Sequence, residues 1–144
     1  MQKPDFLITR CRWQGHEQQL ASIRRHVFIE EQQVPEELEW DEFDRSAQHV
    51  LAKSMDGVSI ATGRIKDDGH IGRMAVLKSY RYQGIGSAVL SALLEIAIKL
   101  KLKRAYLHAQ VSAIPFYEKQ GFICEGDEFL DAGIAHKSMY KVLK

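Results

Sequence analysis

Residues 71–87 decide the fold, and they read Ile-Gly-Arg-Met-Ala-Val-Leu-Lys-Ser-Tyr-Arg-Tyr-Gln-Gly-Ile-Gly-Ser. An apolar strand ends near Val76, a polar loop carrying Arg81 follows, and Gly84 and Gly86 lead directly into a stretch with helical apolar spacing. The first turn of a helix leaves backbone N–H groups unpaired and partly positive, and glycines let a ligand approach that backbone closely. This stretch therefore predicts a cradle for a pyrophosphate group.

Two other phosphate-binding motifs do not match. A dinucleotide-binding motif requires Gly or Ala where this chain has Val89, and its glycines directly follow a strand, whereas here they follow a polar loop. It also requires an acidic residue at the end of the next strand, and the predicted strand Ala105–Ala109 does not end in one. A Walker-type loop requires Gly-Lys followed by Ser or Thr, which does not occur. The cradle therefore belongs to a different class of site.

The apolar spacing around this unit predicts a mixed α+β fold. Asp56-Gly57 and Asp68-Gly69 are hairpin signals and indicate an antiparallel meander. The predicted strands are Phe6–Arg12, Gln48–Met55, Val58–Lys66, His70–Val76, Ala105–Ala109, Phe122–Cys124 and Lys137–Leu143. The predicted helices begin at Glu17 (Leu20, Ile23, Val27 and Phe28 periodic, ended by Pro35), at Gly84 (stripe Ile85, Val89, Leu93, Ile96, Leu100) and at Ile114, the last running to Gln120. We expect one domain over residues 1–144, with a mostly antiparallel sheet flanked by helices.

Composition excludes several classes of protein. A net charge of +1 argues against nucleic-acid binding, and the most apolar segment, Ala88–Leu100, contains Ser91, Glu95 and Lys99, which argues against a membrane span. The first residues lack a long apolar stretch, and the two cysteines do not suggest a disulfide framework, so we expect a cytoplasmic protein. These features leave a homodimer open.

One acidic run interrupts the charge balance. Residues 36–44 read Glu-Glu-Leu-Glu-Trp-Asp-Glu-Phe-Asp, with six acidic residues and no basic one, while 13 acidic and 20 basic residues lie elsewhere. A solvated loop is the ordinary explanation of such a run. Leu38, Trp40 and Phe43 argue against it, because large apolar side chains gain little in a solvated loop. The run therefore predicts a site for a cationic acceptor, through charge pairing and cation–π contact.

At this point the residues resemble a known family. Arg81-x-x-Gly84-x-Gly86 resembles the acyl-CoA-binding motif Gln/Arg-x-x-Gly-x-Gly/Ala of the GNAT superfamily of acetyltransferases, and Ala113–Phe122 (Ala-Ile-Pro-Phe-Tyr-Glu-Lys-Gln-Gly-Phe) resembles its second motif. The two motifs and the strands around them cover roughly residues 50–143. The segment from Arg24 to His49 is similar to the ElaA-like branch of the superfamily. The resemblance implies acetyl-CoA or coenzyme A bound in a cleft between two splayed central strands, without a metal.

The resemblance also implies roles for single residues. The cofactor would contact Met74, Ala75, Val76, Arg81, Tyr82, Gln83, Gly84, Ile85, Gly86, Ser87, Gln110, Phe116, Tyr117 and Lys119. Gln110 stands where the family commonly has Asn, and its side chain carries the same amide group. Tyr117 falls where the family places the acid that protonates the departing thiolate. A backbone N–H near Val76 would stabilise the oxyanion.

The acceptor side is less determined. The candidates for the base, in order, are Glu31, Glu39, Asp41 and His49, and the candidates for acceptor binding are Phe28, Glu39, Trp40, Asp41 and Asp44. We expect a small-molecule amine or a peptide amine, with a primary amino group and a net positive charge. Two other functions stay open: a CoA-binding or sensing module without catalysis, and a protein-interaction domain that uses its acidic run.

Overall fold

The computed structural model describes residues 5–143. The strands are β1 (Phe6–Cys11), β2 (Gln48–Ser54), β3 (Ser59–Ile65), β4 (His70–Val76), β5 (Arg104–Gln110), β6 (Ile123–Asp131) and β7 (Ile134–Val142). The α-helices are α1 (Glu17–Arg24), α2 (Glu36–Glu39), α3 (Ile85–Lys99) and α4 (Ile114–Lys119). A π-helical stretch, Arg25–Glu31, continues α1, and 3-10 turns lie at Glu42–Arg45, Lys78–Tyr80 and Val111–Ala113. Within residues 5–143, none of the helices is long and apolar enough to cross a membrane.

The seven strands form one sheet in the order β1-β2-β3-β4-β5-β7-β6. Every neighbouring pair is antiparallel except β4 and β5, which are parallel and pair only through His70 with Tyr106 and Ile71 with Leu107. Beyond those two pairs the strands diverge and leave a cleft between their carboxyl ends. The predicted α+β fold, with a mostly antiparallel sheet and a splayed central strand pair, is confirmed.

The cleft forms because each of the two strands keeps its outer neighbour. The second half of β4 stays paired with β3, through Ala75 with Thr62, while β5 pairs with β7 along its whole length. A bulge also bends β4, since Arg73 and Met74 together oppose the single residue Gly63, and Arg73 has a left-handed φ of +52°. The backbone edges that face the cleft are therefore without a strand partner and available to a ligand.

The two faces of the sheet are covered by different helices. Val50 and Leu51 are adjacent in β2 and project to opposite faces, and each belongs to a different apolar cluster. The α3 side contains the buried stripe Ile85, Val89, Leu93 and Ile96, as the sequence predicts. On the other face α1 packs over β3 and β4 with its buried Leu20 and Ile23, and the π-helical stretch adds the buried Val27.

Two predictions about the elements are wrong. The last hairpin is much longer than the predicted strands Phe122–Cys124 and Lys137–Leu143. The prediction missed its tight turn, because Ala132 and Gly133, both at positive φ, are not one of the familiar turn pairs. Leu100 was expected on the buried stripe of α3 but lies past the end of the helix, at 43% exposure. The acidic run folds into α2 and the following 3-10 turn.

Candidate active site

The loop between β4 and α3 has the geometry of an anion cradle. Gly84 precedes α3 with a φ of +81°, where a glycine is favoured. The backbone N–H of Ala88 bonds to the carbonyl of Gly84 at 3.1 Å. The amides of Ile85, Gly86 and Ser87 precede that bond, so they have no acceptor within the helix. These residues fit the pyrophosphate of an acyl-CoA, because free amides at a helix N-terminus attract anions.

Gly86 keeps this cradle open. A Cβ at this position would lie 3.6 Å from Cζ of Phe116 and 3.8 Å from Cγ2 of Val76, which is ordinary contact distance. A methyl group therefore fits, whereas a branched side chain would meet Phe116 and Val76 or fill the approach to the helix amides. Phe116 thus packs against the first turn of α3 at Gly86.

Arg81 is engaged by protein groups. Its Nε donates to the carbonyl of Val76 at 2.9 Å, and its two terminal nitrogens donate to the two carboxylate oxygens of Glu31, each at 2.6 Å. These hydrogen bonds hold the pKa of Glu31 below its usual range. A carboxylate held in this way is a poor base, and the charge of Arg81 already has a partner.

The remaining residues of the predicted cradle differ in exposure. Tyr82 is fully exposed at a φ of +64°, and the side chains of Gln83 and Lys119 are also exposed. The hydroxyl of Ser87 accepts a hydrogen bond from Nε2 of Gln120 at 3.5 Å. The fixed part of the cradle is therefore its backbone.

Tyr117 lies on α4 beside the bulge of β4. Its ring packs edge-on against Phe116 and Phe122, with centroids 5.0 and 6.0 Å away. The hydroxyl donates to Sδ of Met74 at 3.8 Å, a weak interaction. Burial raises the pKa of Tyr117 to about 12, so the phenol keeps its proton at neutral pH. The structure thus holds a proton donor against the cleft edge of β4.

A groove of about 310 Å³ follows the cleft side of β4 and β5. Five of the predicted site residues line it: Phe28, Glu39, Met74, Gln110 and Tyr117. Three further predicted residues, Trp40, Asp41 and Asp44, line a separate hollow together with Trp13. The residues predicted to bind the acceptor are therefore divided between two surfaces.

Gln110 has a definite role in this groove. Its Nε2 donates to Oε1 of Gln32 at 2.9 Å, which links the end of β5 to the segment after the π-helical stretch. The preceding residue, Glu31 at the end of the π-helical stretch, is linked to the cradle loop through Arg81. The end of the first helix thus contacts both sides of the cleft.

Most carboxylates of the acidic run are paired with arginines of the same chain. Three of its carboxylates and three guanidinium groups form one ion-pair network of Glu39, Asp41, Asp44, Arg24, Arg64 and Arg73. Glu39 and Asp44 are buried, at 3% and 4% exposure. The aromatic rings of the run already make cation–π contacts within the chain. Cζ of Arg24 lies 5.0 Å from the centroid of the Trp40 ring, and Nζ of Lys66 lies 4.0 Å from that of Phe43. The predicted site for a cationic acceptor therefore has its central carboxylates and its aromatic rings already paired, and the positive charge expected of the acceptor loses its support.

Each of the four predicted bases is held by another group, Glu31 by Arg81 as described above. Burial raises the pKa of Glu39, although Arg73 and Arg24 oppose this. Burial would also raise the pKa of Asp41, but hydrogen bonds and charge from Arg64 outweigh it and lower that pKa to about 2. His49 is buried, with Nε2 placed 2.9 Å from the carbonyl of Asp44.

Comparison with known proteins agrees with this geometry. A family model described as an acetyltransferase (GNAT) domain matches residues 14–143. The chain belongs to the GNAT family. GNAT proteins of this kind are acyl-CoA-dependent N-acyltransferases, so the chain is an enzyme of this N-acetyltransferase family with an acyl-CoA cosubstrate.

The sequence similarity to other GNAT proteins extends over nearly the whole chain. Bacillus subtilis YyaT is 38% identical over 140 residues, covering 93% of this chain and 94% of its own. The uncharacterized N-acetyltransferase YjcF of the same organism is 40% identical over 124 residues, covering 83% and 87%. Among solved structures, an acyl-CoA N-acyltransferase from Pseudomonas aeruginosa has a TM-score of 0.85 at 28% identity, covering 94% of this chain and 99% of its own. Escherichia coli ElaA has a TM-score of 0.83 at 26% identity with the same coverage, and the predicted resemblance to ElaA is confirmed.

Sequence reasoning missed two sets of residues: the arginines that pair with the acidic run, and two histidines that line the groove. Arg24, Arg64 and Arg73 are far apart in the chain and were not matched with the acidic run. His70 and His108 also line the groove but were not proposed as site residues. The available signal was the alternation in β5, which places Tyr106, His108 and Gln110 on one face.

Proposed function

We propose that the acyl donor is acetyl-CoA and that the acceptor is a primary amine that attacks the thioester directly. The observation that carries this proposal is the splayed β4–β5 cleft, with free helix amides at Gly84–Ser87 and the protonated hydroxyl of Tyr117 against the same strand. This arrangement can hold an anionic cosubstrate, expose its acyl group and protonate a leaving thiolate. The proposal is supported by the position of the helix amides and of Tyr117 on the same side of the cleft.

Each residue then has a distinct task. Acetyl-CoA, when bound, supplies an activated thioester carbonyl. The amides at Ile85, Gly86 and Ser87 bind the pyrophosphate, while the cleft edge of β4 at Met74 orients the arm that carries the thioester. Tyr117 gives its proton to the sulfur as the carbon–sulfur bond breaks, a contribution typically worth ~10²–10⁴ in rate. Its raised pKa ensures that the proton is present at the start of each turnover.

The acceptor enters from the groove side. Phe28 supplies an apolar contact and Glu39 a paired carboxylate, so the groove has polar and apolar walls without a strong net charge. A small-molecule amine and an exposed peptide amine are both compatible with an open groove of this kind. We propose that the enzyme acts in the cytoplasm, as the sequence predicts.

The test combines binding with turnover. Acetyl-CoA should raise the melting temperature, since a ligand at a hundredfold excess over its Kd stabilises the folded state by about 2.7 kcal/mol. Gly86→Val should abolish this shift, whereas the matched control Gly86→Ala should retain most of it, because a methyl group fits at this position. Free thiol release is then measured with primary amines, secondary amines and alcohols.

Three results would refute the proposal. Equal acetyl-CoA binding by Gly86→Val and the parent would place the cosubstrate elsewhere. Faster turnover with a longer acyl-CoA than with acetyl-CoA would correct the donor. Transfer to alcohols or secondary amines in preference to primary amines would correct the acceptor.

A further inference from the structure

The groove contains a group of histidines without a role in the mechanism so far. The register of β5 places Tyr106, His108 and Gln110 on one face of the strand. His70 of β4 is paired with Tyr106 of β5, and His136 of β7 is paired with Gln110 of β5. Imidazoles from three neighbouring strands therefore line the acceptor side of the cleft.

His108 occupies the point where the cleft opens. The last pair between β4 and β5 joins Ile71 and Leu107, and His108 is the next residue of β5. The next residue of β4 is Gly72, which has no side chain, and a Cβ built there would meet nothing within 4 Å. The space opposite His108 is therefore free, at the apex of the splay where β4 and β5 begin to separate.

The three imidazoles differ in what they already contact. The ring of His70 stacks flat on Tyr106, with the centroids 4.7 Å apart and an interplanar angle of 7°. His136 is buried, and its Nδ1 lies 2.7 Å from the carbonyl of Ile134. His108 is exposed, and its ring lies between His70, with the centroids 4.8 Å apart, and Phe129, which it contacts edge-on at 5.3 Å. Among the described residues, neither ring nitrogen of His108 has a hydrogen-bond partner, so both can face a substrate.

Burial and the neighbouring charges act on the pKa of His108 in opposite directions. Burial lowers its pKa, and His136 and Lys66 act in the same direction. The carboxylate of Asp131, in the same groove, favours the protonated form. His70 is a weaker base, since burial, His108 and Lys66 lower its pKa to about 4. His108 is therefore better able than His70 to accept a proton, with Asp131 available to stabilise the resulting cation.

We propose that His108 is the general base that removes a proton from the incoming ammonium group, an inference that rests on the proposed function. The nitrogen–hydrogen bond breaks and the proton passes to a ring nitrogen of His108, which later releases it to water. The freed amine forms the carbon–nitrogen bond as the carbon–sulfur bond breaks, and Tyr117 gives its proton to sulfur. The nitrogen loses its second proton to water, and the tyrosinate regains one from water, so the reaction releases one proton overall.

The experiment uses two amines that differ in proton affinity. Ethylamine is protonated at neutral pH and needs a base, whereas trifluoroethylamine is largely unprotonated and does not. With saturating acetyl-CoA, His108→Gln should lower kcat/KM for ethylamine by about a hundredfold, the lower end of the range for acid–base catalysis, and for trifluoroethylamine by less than about tenfold. His70→Gln should retain the acid limb of the ethylamine pH profile, and His26→Gln, an exposed histidine outside the groove, should match the parent.

A second readout does not depend on turnover. NMR titration of the His108 imidazole in the free protein should give the same pKa as the acid limb of the kcat/KM profile. Asp131→Asn should move both values to lower pH by the same amount, because it removes the charge that favours the protonated ring.

The outcomes separate the two proposals. Equal losses of kcat/KM with both amines, an acid limb that persists in His108→Gln, or an NMR pKa that differs from the kinetic one would overturn the role of His108 alone. A parent protein that binds acetyl-CoA but transfers to no amine would refute the proposed function, and this inference with it.

Discussion

Replacing Arg24 by Met tests whether the acidic run is a structural element. Arg24 is 1% exposed and donates to Glu39 at 2.8 Å and to Asp44 at 2.7 Å. Removing one partner from a buried ion pair typically costs about 3–5 kcal/mol. Here the carboxylates keep Arg73 and Arg64 as second partners, so we expect about 3 kcal/mol, the lower end of that range. For 144 residues this lowers the melting temperature by about 10 °C.

The assay is urea unfolding at neutral pH, followed by circular dichroism, with a thermal melt beside it. Arg25→Met is the matched control, since the neighbouring Arg25 pairs with Glu36 at the surface, where the side chains are 44% and 55% exposed. An exposed pair contributes little, so this control should unfold like the parent. If Arg24→Met also unfolded like the parent, or if both variants lost the same stability, the network would not be what holds the run in place.

Two further predictions concern single groups. Tyr117→Phe should lower kcat at least tenfold while leaving stability and acetyl-CoA affinity nearly unchanged, because the hydroxyl contacts only Sδ of Met74 at 3.8 Å; an unchanged kcat, with chemistry shown to be rate-limiting, would remove its role as the acid. The pKa of Asp41 is about 2 in the folded protein, below its unfolded value, so its stabilisation is present above about pH 4 and is lost as the pH falls through 2. The difference in unfolding free energy between the parent and Asp41→Asn should therefore shrink between pH 4 and pH 2, and a constant difference would contradict this assignment.

Local sequence predicted most of the sheet and the long helix. Apolar alternation and two Asp-Gly turns placed β2, β3 and β4 within a residue or so of their bounds, because register and turn geometry are encoded locally in antiparallel hairpins. The β6–β7 hairpin was underestimated, since much of β6 is exposed and polar and so carries no apolar alternation. Its length comes from pairing with β7, which is itself held along its other edge by β5.

The candidate site divides in the same way. The helix start at the proposed cradle could be predicted because Arg81 to Ser87 are contiguous, and free backbone amides follow from any helix start. The base could not, because proton affinity depends on neighbours from distant segments. Glu31 is paired with Arg81, 50 residues away, and the proposed base His108 follows the last β4–β5 pair, Ile71 with Leu107, where the strands separate.

The sequence by itself determined the element order, the helix start after Gly84 and the family, since these rest on periodicity and on contiguous motifs that local chemistry can express. Tertiary structure alone decided which charges are free. The acidic run reads as an open site for a cation, yet folding brings Arg24, Arg64 and Arg73 from three separate elements to its carboxylates. Coulomb interactions and burial act through space, so the same residues that look like a binding surface in the chain become the interior support of the groove.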